Sequence, residues 1–180
     1  MNLGAVKEFP RRIVAGDLPE GESDFEISAD AGERAALARR LGVLSVDSLT
    51  AVIVLTASPG GRHVNVRGRL KAEIKQACVV TLVPVRQNIE VEFERAFAAG
   101  VEPDAEEGSE TGSWRNEDWV EPLEYGSIDI GQVVVEQLAL EVDLYPRAPG
   151  ARFEGFSSEA KAAEGGSGPF AALAKLKPKR

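Results

Sequence analysis

HVNVRGRLKAEIK, residues 63–75, decides the fold. Val64, Val66, Leu70, Ala72 and Ile74 alternate there with Asn65, Arg67, Arg69, Lys71, Glu73 and Lys75. Such alternation marks a strand with one buried and one solvated face. Arg67, Arg69, Lys71 and Lys75 therefore project together from the solvated side. Gly68 falls on the inner side, where a missing side chain signals a bulge or a close backbone approach.

Upstream, LTAVIVLTA at 49–57 is a continuous β-branched run, which predicts a strand buried on both faces, and SPGG at 58–61 is a turn cluster. Downstream, ACVVTL predicts a further strand over 78–83, ended by Pro84. A strand over 88–97 alternates Ile89, Val91 and Phe93 with Glu90, Glu92 and Glu94. If this acidic face neighbours the Arg67 strand, cross-strand ion pairs would partly neutralise it.

DAGERAALARRLG, residues 30–42, predicts a helix. Asp30 with Glu33 forms a capping-box pattern, Gly42 suits the left-handed exit, and Leu37 and Leu41 share the core face. Before it, Phe9, Ile13, Val14, Phe25 and Ile27 stand between turn residues and read as short strands. GQVVVEQLALEVDLY after Ile130 carries a helical spacing, with strand left as an alternative because of its valines. Pro146 and Pro149 end that element.

The 180 residues are 43% apolar, enough for one α+β domain over 1–149, with a linker over 150–168 and a short helix over 169–180. One cysteine, Cys78, excludes an intramolecular disulfide and fits a reducing compartment; it is expected to pack as a small hydrophobe. With one histidine, His63, a structural zinc site is not expected. No apolar run approaches the ~20 residues that span a bilayer. The start, MNLGAVKEFPRR, lacks a signal-peptide pattern. The expectation is a cytoplasmic protein that does not engage membranes.

The net charge is −8 but unevenly spread. Residues 101–124 hold nine acids against Arg115, within a polar loop expected at about 99–122, pinned by Trp114 and Trp119. Residues 62–86 carry Arg62, Arg67, Arg69, Lys71, Lys75 and Arg86 against Glu73. Of these, Arg62, Arg67, Arg69, Lys71 and Lys75 are the candidate nucleic-acid or ribosome contact. In the tail, Pro169 suits a first helical turn and Phe170, Leu173 and Leu176 step by three, among Lys175, Lys177 and Lys179. So short a helix is marginal alone, which makes Phe170, Leu173, Leu176 and Lys177 a candidate docking element for a partner surface. GxxxxGK[ST], GxGxxG and GxSxG do not occur, so neither an enzyme, a small-molecule substrate nor a cofactor is expected.

Four blocks together resemble the YceD family, the large ribosomal RNA subunit accumulation proteins. They are GRLKAEIKQACVVTLVPVRQNIEVEFERAF (68–97), the acidic insertion after it, SIDIGQVVVEQLALEVDLYPRAPG (127–150) and PFAALAKLK (169–177). PRRIVAGDLPEG and ADAGERAALARRLGVLSVDSL are similar to its alphaproteobacterial form. The resemblance implies an α+β fold and a non-enzymatic role in large-subunit ribosome biogenesis and ribosomal RNA accumulation. The implied partners are large-subunit ribosomal RNA, pre-ribosomal particles or a ribosomal protein. Many members carry a C-x-x-C where Cys78 lies; here the second position is Thr81, which removes any redox or metal role of that pair. The fold expected is an antiparallel sheet, open or curved toward a barrel, packed on two helices. The function expected is binding to ribosomal RNA or pre-ribosomal particles, the alternative being an adaptor that meets a ribosomal protein or processing enzyme without touching RNA.

Overall fold

A computed structural model describes residues 8–100 and 120–153. The elements are β1 (Arg12–Val14), β2 (Gly21–Ser28), α1 (Ala31–Leu41), β3 (Ser45–Ala57), β4 (His63–Ala77), β5 (Pro84–Ala98), β6 (Val120–Pro122), β7 (Ser127–Asp129) and α2 (Ile130–Glu141). One sheet has the order β2-β3-β4-β5-β6, antiparallel except for the short parallel pair β5–β6. The small pair β1–β7 stands apart from it. The large sheet is open, with β2 and β6 at its edges, so it is not a barrel. The fold is α+β, as expected.

The even positions of β4 face the core. Val64, Val66, Leu70 and Ile74 are fully buried, alongside Leu49, Ile53 and Leu55 of β3. Gly68 sits among them because the Phe93 ring lies across it: a Cβ there would come within 2.2 Å of the ring. The glycine thus marks a close approach and not a bulge. Both helices cover this inner face. α1 is closed at its start by the reciprocal bonds between Asp30 and Glu33, the side-chain acceptor at 2.8 Å and the return bond at 2.9 Å. Gly42 ends it at φ 67°, in the left-handed region. α2 takes the helical alternative. Ile130, Val133, Val134 and Leu138 fall at i, i+3, i+4 and i+8 on one helical face and all are buried, and this burial outweighs the modest helix propensity of valine.

A clasp joins the N-terminal segment to α2. The Arg11 N–H donates to Asp129 Oδ1, the Ile130 N–H donates to the Arg11 carbonyl, and the Arg11 guanidinium forks onto Glu33 at 2.8 and 3.0 Å. Gly131 admits this crossing, since a Cβ would meet the Phe9 carbonyl oxygen at 1.9 Å.

Two strand expectations are overturned. β3 is not buried on both faces: Leu49, Ala51, Ile53 and Leu55 are buried while Thr50, Val52 and Thr56 are exposed. The helices are confined to one side of the sheet, so the β-branched run has only one layer to pack on. Residues 78–83 are a turn and not a strand, and Pro84 opens β5 instead of ending an element. The Cys78 sulfur accepts the N–H groups of Val80 and Thr81, which curls the chain, and Leu82 takes φ 61°. β4 and β5 are therefore one long hairpin in direct register. Val120–Pro122, at the far end of the expected acidic loop, is strand β6. Residues 101–119 of that loop, with Trp114 and Trp119, and residues 154–180, which hold the rest of the linker and the tail with Phe170, Leu173, Leu176 and Lys177, lie outside the described residues.

Candidate functional site

The outer face of the large sheet is uncovered by any described element, and the register of its strands sets out its chemistry column by column. β2 contributes Glu22, Asp24 and Glu26; β3 contributes Thr50, Val52, Val54 and Thr56; β4 contributes Arg67, Arg69, Lys71, Glu73 and Lys75; β5 contributes Arg86, Glu90, Glu92 and Glu94. The expected basic residues do project together. They also meet the acidic column, because Arg67 is registered on Glu94, Arg69 on Glu92 and Lys71 on Glu90.

Each of them is ion-paired. Arg67 Nε lies 3.0 Å from Glu94, Arg69 lies 2.9 Å from Glu90 and 3.8 Å from Glu92, and Lys71 Nζ lies 3.1 Å from Glu90. Lys75 binds Asp47 at 2.6 Å, and Arg86 binds Glu73 at 2.9 Å. Two carboxyls register the pairing in their acidity. The Lys71 ammonium bonded to Glu90 holds that carboxyl below its usual range, and Lys75 with the Ser45 hydroxyl does the same for Asp47. Arg62, exposed just before β4, is the expected contact residue without an ion pair among the described residues.

The four columns together carry seven carboxylates against five bases, so the face as a whole is slightly acidic. Between the β2 acids and the β4 bases runs an apolar strip, Val52 (53% exposed) and Val54, opening into a groove of about 630 Å³ flanked by Arg67, Arg69, Glu92 and Glu94. Sequence reasoning singled out the basic column and missed both the strip and the β2 acids. The acids were visible as the alternation in GESDFEIS, residues 21–28. The strip was hidden by treating β3 as doubly buried.

Cys78 is the other chemically distinct group. It is fully buried, and its sulfur accepts three backbone N–H groups: Val80 and Thr81 at 3.4 Å and Ala148 at 3.3 Å. The Ala148 N–H does most, then the Thr81 hydroxyl, to stabilise the thiolate against the cost of burial, and the thiol is lowered to about 6. The residue is thus a polar clamp tying the hairpin turn to the segment after α2, more than the small hydrophobe expected. His63 is exposed at the start of β4. No helix among the described residues is long and apolar enough to cross a membrane.

No curated protein and no solved structure matches the chain. A family model described as large ribosomal RNA subunit accumulation protein YceD does match, over residues 66–177. That span takes in β4 from Val66 onward, the Cys78 turn, β5, α2 and the tail motif, which is more than half of the sequence, and the chain belongs to the YceD family.

Proposed function

We propose that this protein is a non-catalytic cytoplasmic factor that supports large-subunit ribosomal RNA accumulation by binding pre-ribosomal particles, and that it touches a protein component of the particle through the outer sheet face. Membership of a family described by large ribosomal RNA subunit accumulation supports the biological setting. The mode of contact rests on one observation: Arg67, Arg69, Lys71 and Lys75 each already hold a carboxylate. RNA phosphates would have to displace these partners and would meet Glu22, Asp24 and Glu26 nearby, whereas a protein surface of mixed charge matches the ladder as it stands. Arg62, Arg67, Arg69, Lys71 and Lys75 remain contact residues in this reading, with the carboxylates paired to the last four as part of the contact. The tail residues Phe170, Leu173, Leu176 and Lys177 are proposed as a second docking element.

Co-sedimentation with pre-ribosomal particles, with and without RNase, is the test. Association that survives RNase and responds weakly to salt is expected. Direct RNA contact, the second reading, is favoured by the common projection of the bases and by Arg62, which has no ion pair among the described residues. It requires association that disappears with RNase, falls steeply with salt, and is lost when Arg67, Arg69 and Lys71 become Glu.

A further inference from the structure

β2 is an open edge, and its backbone polarity can be read from the ladder. The Ala29 N–H donates to the Leu49 carbonyl, and in an antiparallel pair the residues that bond to the neighbour alternate with those that do not. Ile27, Phe25 and Ser23 therefore bond to β3, and Ser28, Glu26, Asp24 and Glu22 turn their N–H and C=O groups outward. Arg11 fits this phase, since its guanidinium donates to the outward Ser28 carbonyl at 3.2 Å. Among the described residues no backbone group bonds to the outward groups of Glu22, Asp24 or Glu26.

The two faces of the edge differ. Glu22, Asp24 and Glu26 stand exposed on the outer face, and none is ion-paired among the described residues. They continue the face that holds the Val52–Val54 strip. On the inner face Phe25 is only partly buried, at the margin of the core. An added strand would cover that margin.

We propose that β2 is a docking edge for an extended basic polypeptide segment, which adds to the sheet as a sixth strand. Its recognition pattern is alternating: Lys or Arg at the positions facing Glu22, Asp24 and Glu26, and an apolar residue at the intervening position beside Phe25. The backbone supplies the binding and the alternation supplies the selectivity. Charge complementarity selects this occupant. A second copy of β2 would set carboxylates against carboxylates, and RNA would bring phosphates to three carboxylates that have no ion pair among the described residues. The inference rests on the protein-contact reading above and names the chemistry of the partner.

The test uses the full chain and a synthetic peptide, Lys-Val-Lys-Val-Lys-Val, with Glu-Val-Glu-Val-Glu-Val and a single-stranded RNA as comparison probes. Amide hydrogen exchange at Glu22, Asp24 and Glu26 should slow by at least about tenfold with the basic peptide and with neither other probe. Glu22→Lys with Glu26→Lys should abolish that protection. Asp24→Pro removes one outward N–H without touching the β3 ladder, and it should do the same while two of the three acids remain. Unchanged exchange at these amides with bound peptide would overturn the proposal, as would protection confined to β4 and β5. Protection already present in the free chain would overturn it too, by assigning the edge to a second copy or to the chain's own lysine-rich tail. Failure of the wider reading is separate. Edge variants that keep RNase-resistant particle association would sink the edge alone, whereas RNase-sensitive association would sink the protein-contact reading.

Discussion

The two faces of the hairpin β4–β5 are built from one alternating pattern, yet they do opposite things. The inner face is a closed set of side chains with fixed volumes: Val64, Val66, Leu70 and Ile74 at zero exposure, and a glycine where the Phe93 ring needs the space. The outer face is a ladder of exposed pairs that water could solvate almost as well. The first constrains shape and the second leaves it nearly free. Substitution on the inner face should therefore act on stability, and substitution on the outer face on recognition.

The largest test of that contrast is Leu70→Ala. The side chain is central on the inner face and has no exposure, so truncation leaves a cavity flanked by β3 and β5. A loss of about 2–5 kcal/mol in denaturant unfolding is expected. A cost no larger than that of a surface substitution would mean the inner face is loosely packed, and the contrast would fail.

Gly68→Ala comes next. The added methyl meets the Phe93 ring, a side chain that can shift, so the cost should be about 1–3 kcal/mol. In a Phe93→Ala background most of this cost should vanish. A double-mutant cycle reads that coupling directly, and two additive single effects would refute the ring-over-glycine contact.

These inner positions were legible in the sequence because burial and strand period coincide: the even-numbered apolar residues of 64–74 face the core, and Gly68 stands among them. The capping of α1 was equally legible, since Asp30, Glu33 and Gly42 act on their immediate neighbours. β3 was misread because a β-branched run shows what a strand can bury, not how many layers are there to cover it. The turn at 78–83 was misread because its sequence, CVVTLV, carries no Gly or Pro before Pro84; a sulfur atom accepting N–H groups takes the place of the usual turn residues. At the candidate site, the basic column and its possible neutralisation were visible in the two alternating stretches. The acids of β2 were not connected to it, because the adjacency of β2 and β3 runs through a helical crossover that local pattern does not describe.

Cys78 gives a third test, at the end of the hairpin where the two faces meet. Its thiol is lowered from 9.0 to about 6 in the folded protein by N–H donors that the unfolded chain lacks. With the folded value depressed, the unfolded state binds the extra proton between these limits, so stability rises with pH. The thiolate's contribution is complete above pH 9.0 and is lost as pH falls through about 6. The stability gap between the native chain and Cys78→Ala should therefore be wider on the alkaline side of that window than on the acid side. An equal gap on both sides would mean that the three N–H groups bind a neutral thiol.

The smallest effect on stability is expected on the outer face, at Arg67 and Glu94. Both side chains are more than half exposed, and their 3.0 Å contact joins directly registered residues. Water screens such a pair, and ordering two long side chains offsets part of the attraction. A cycle of Arg67→Ala and Glu94→Ala should give a coupling of about 0.2–1 kcal/mol that shrinks with added salt. A coupling as large as that of Gly68 with Phe93 would place the ladder among the groups that hold the fold, and the division between faces would be wrong. The recognition side of the contrast is read on the same variants: Arg67→Ala should weaken particle association by more than its small effect on stability can explain. Association unchanged in Arg67→Ala would remove this pair from the contact face and leave binding to the edge strand β2.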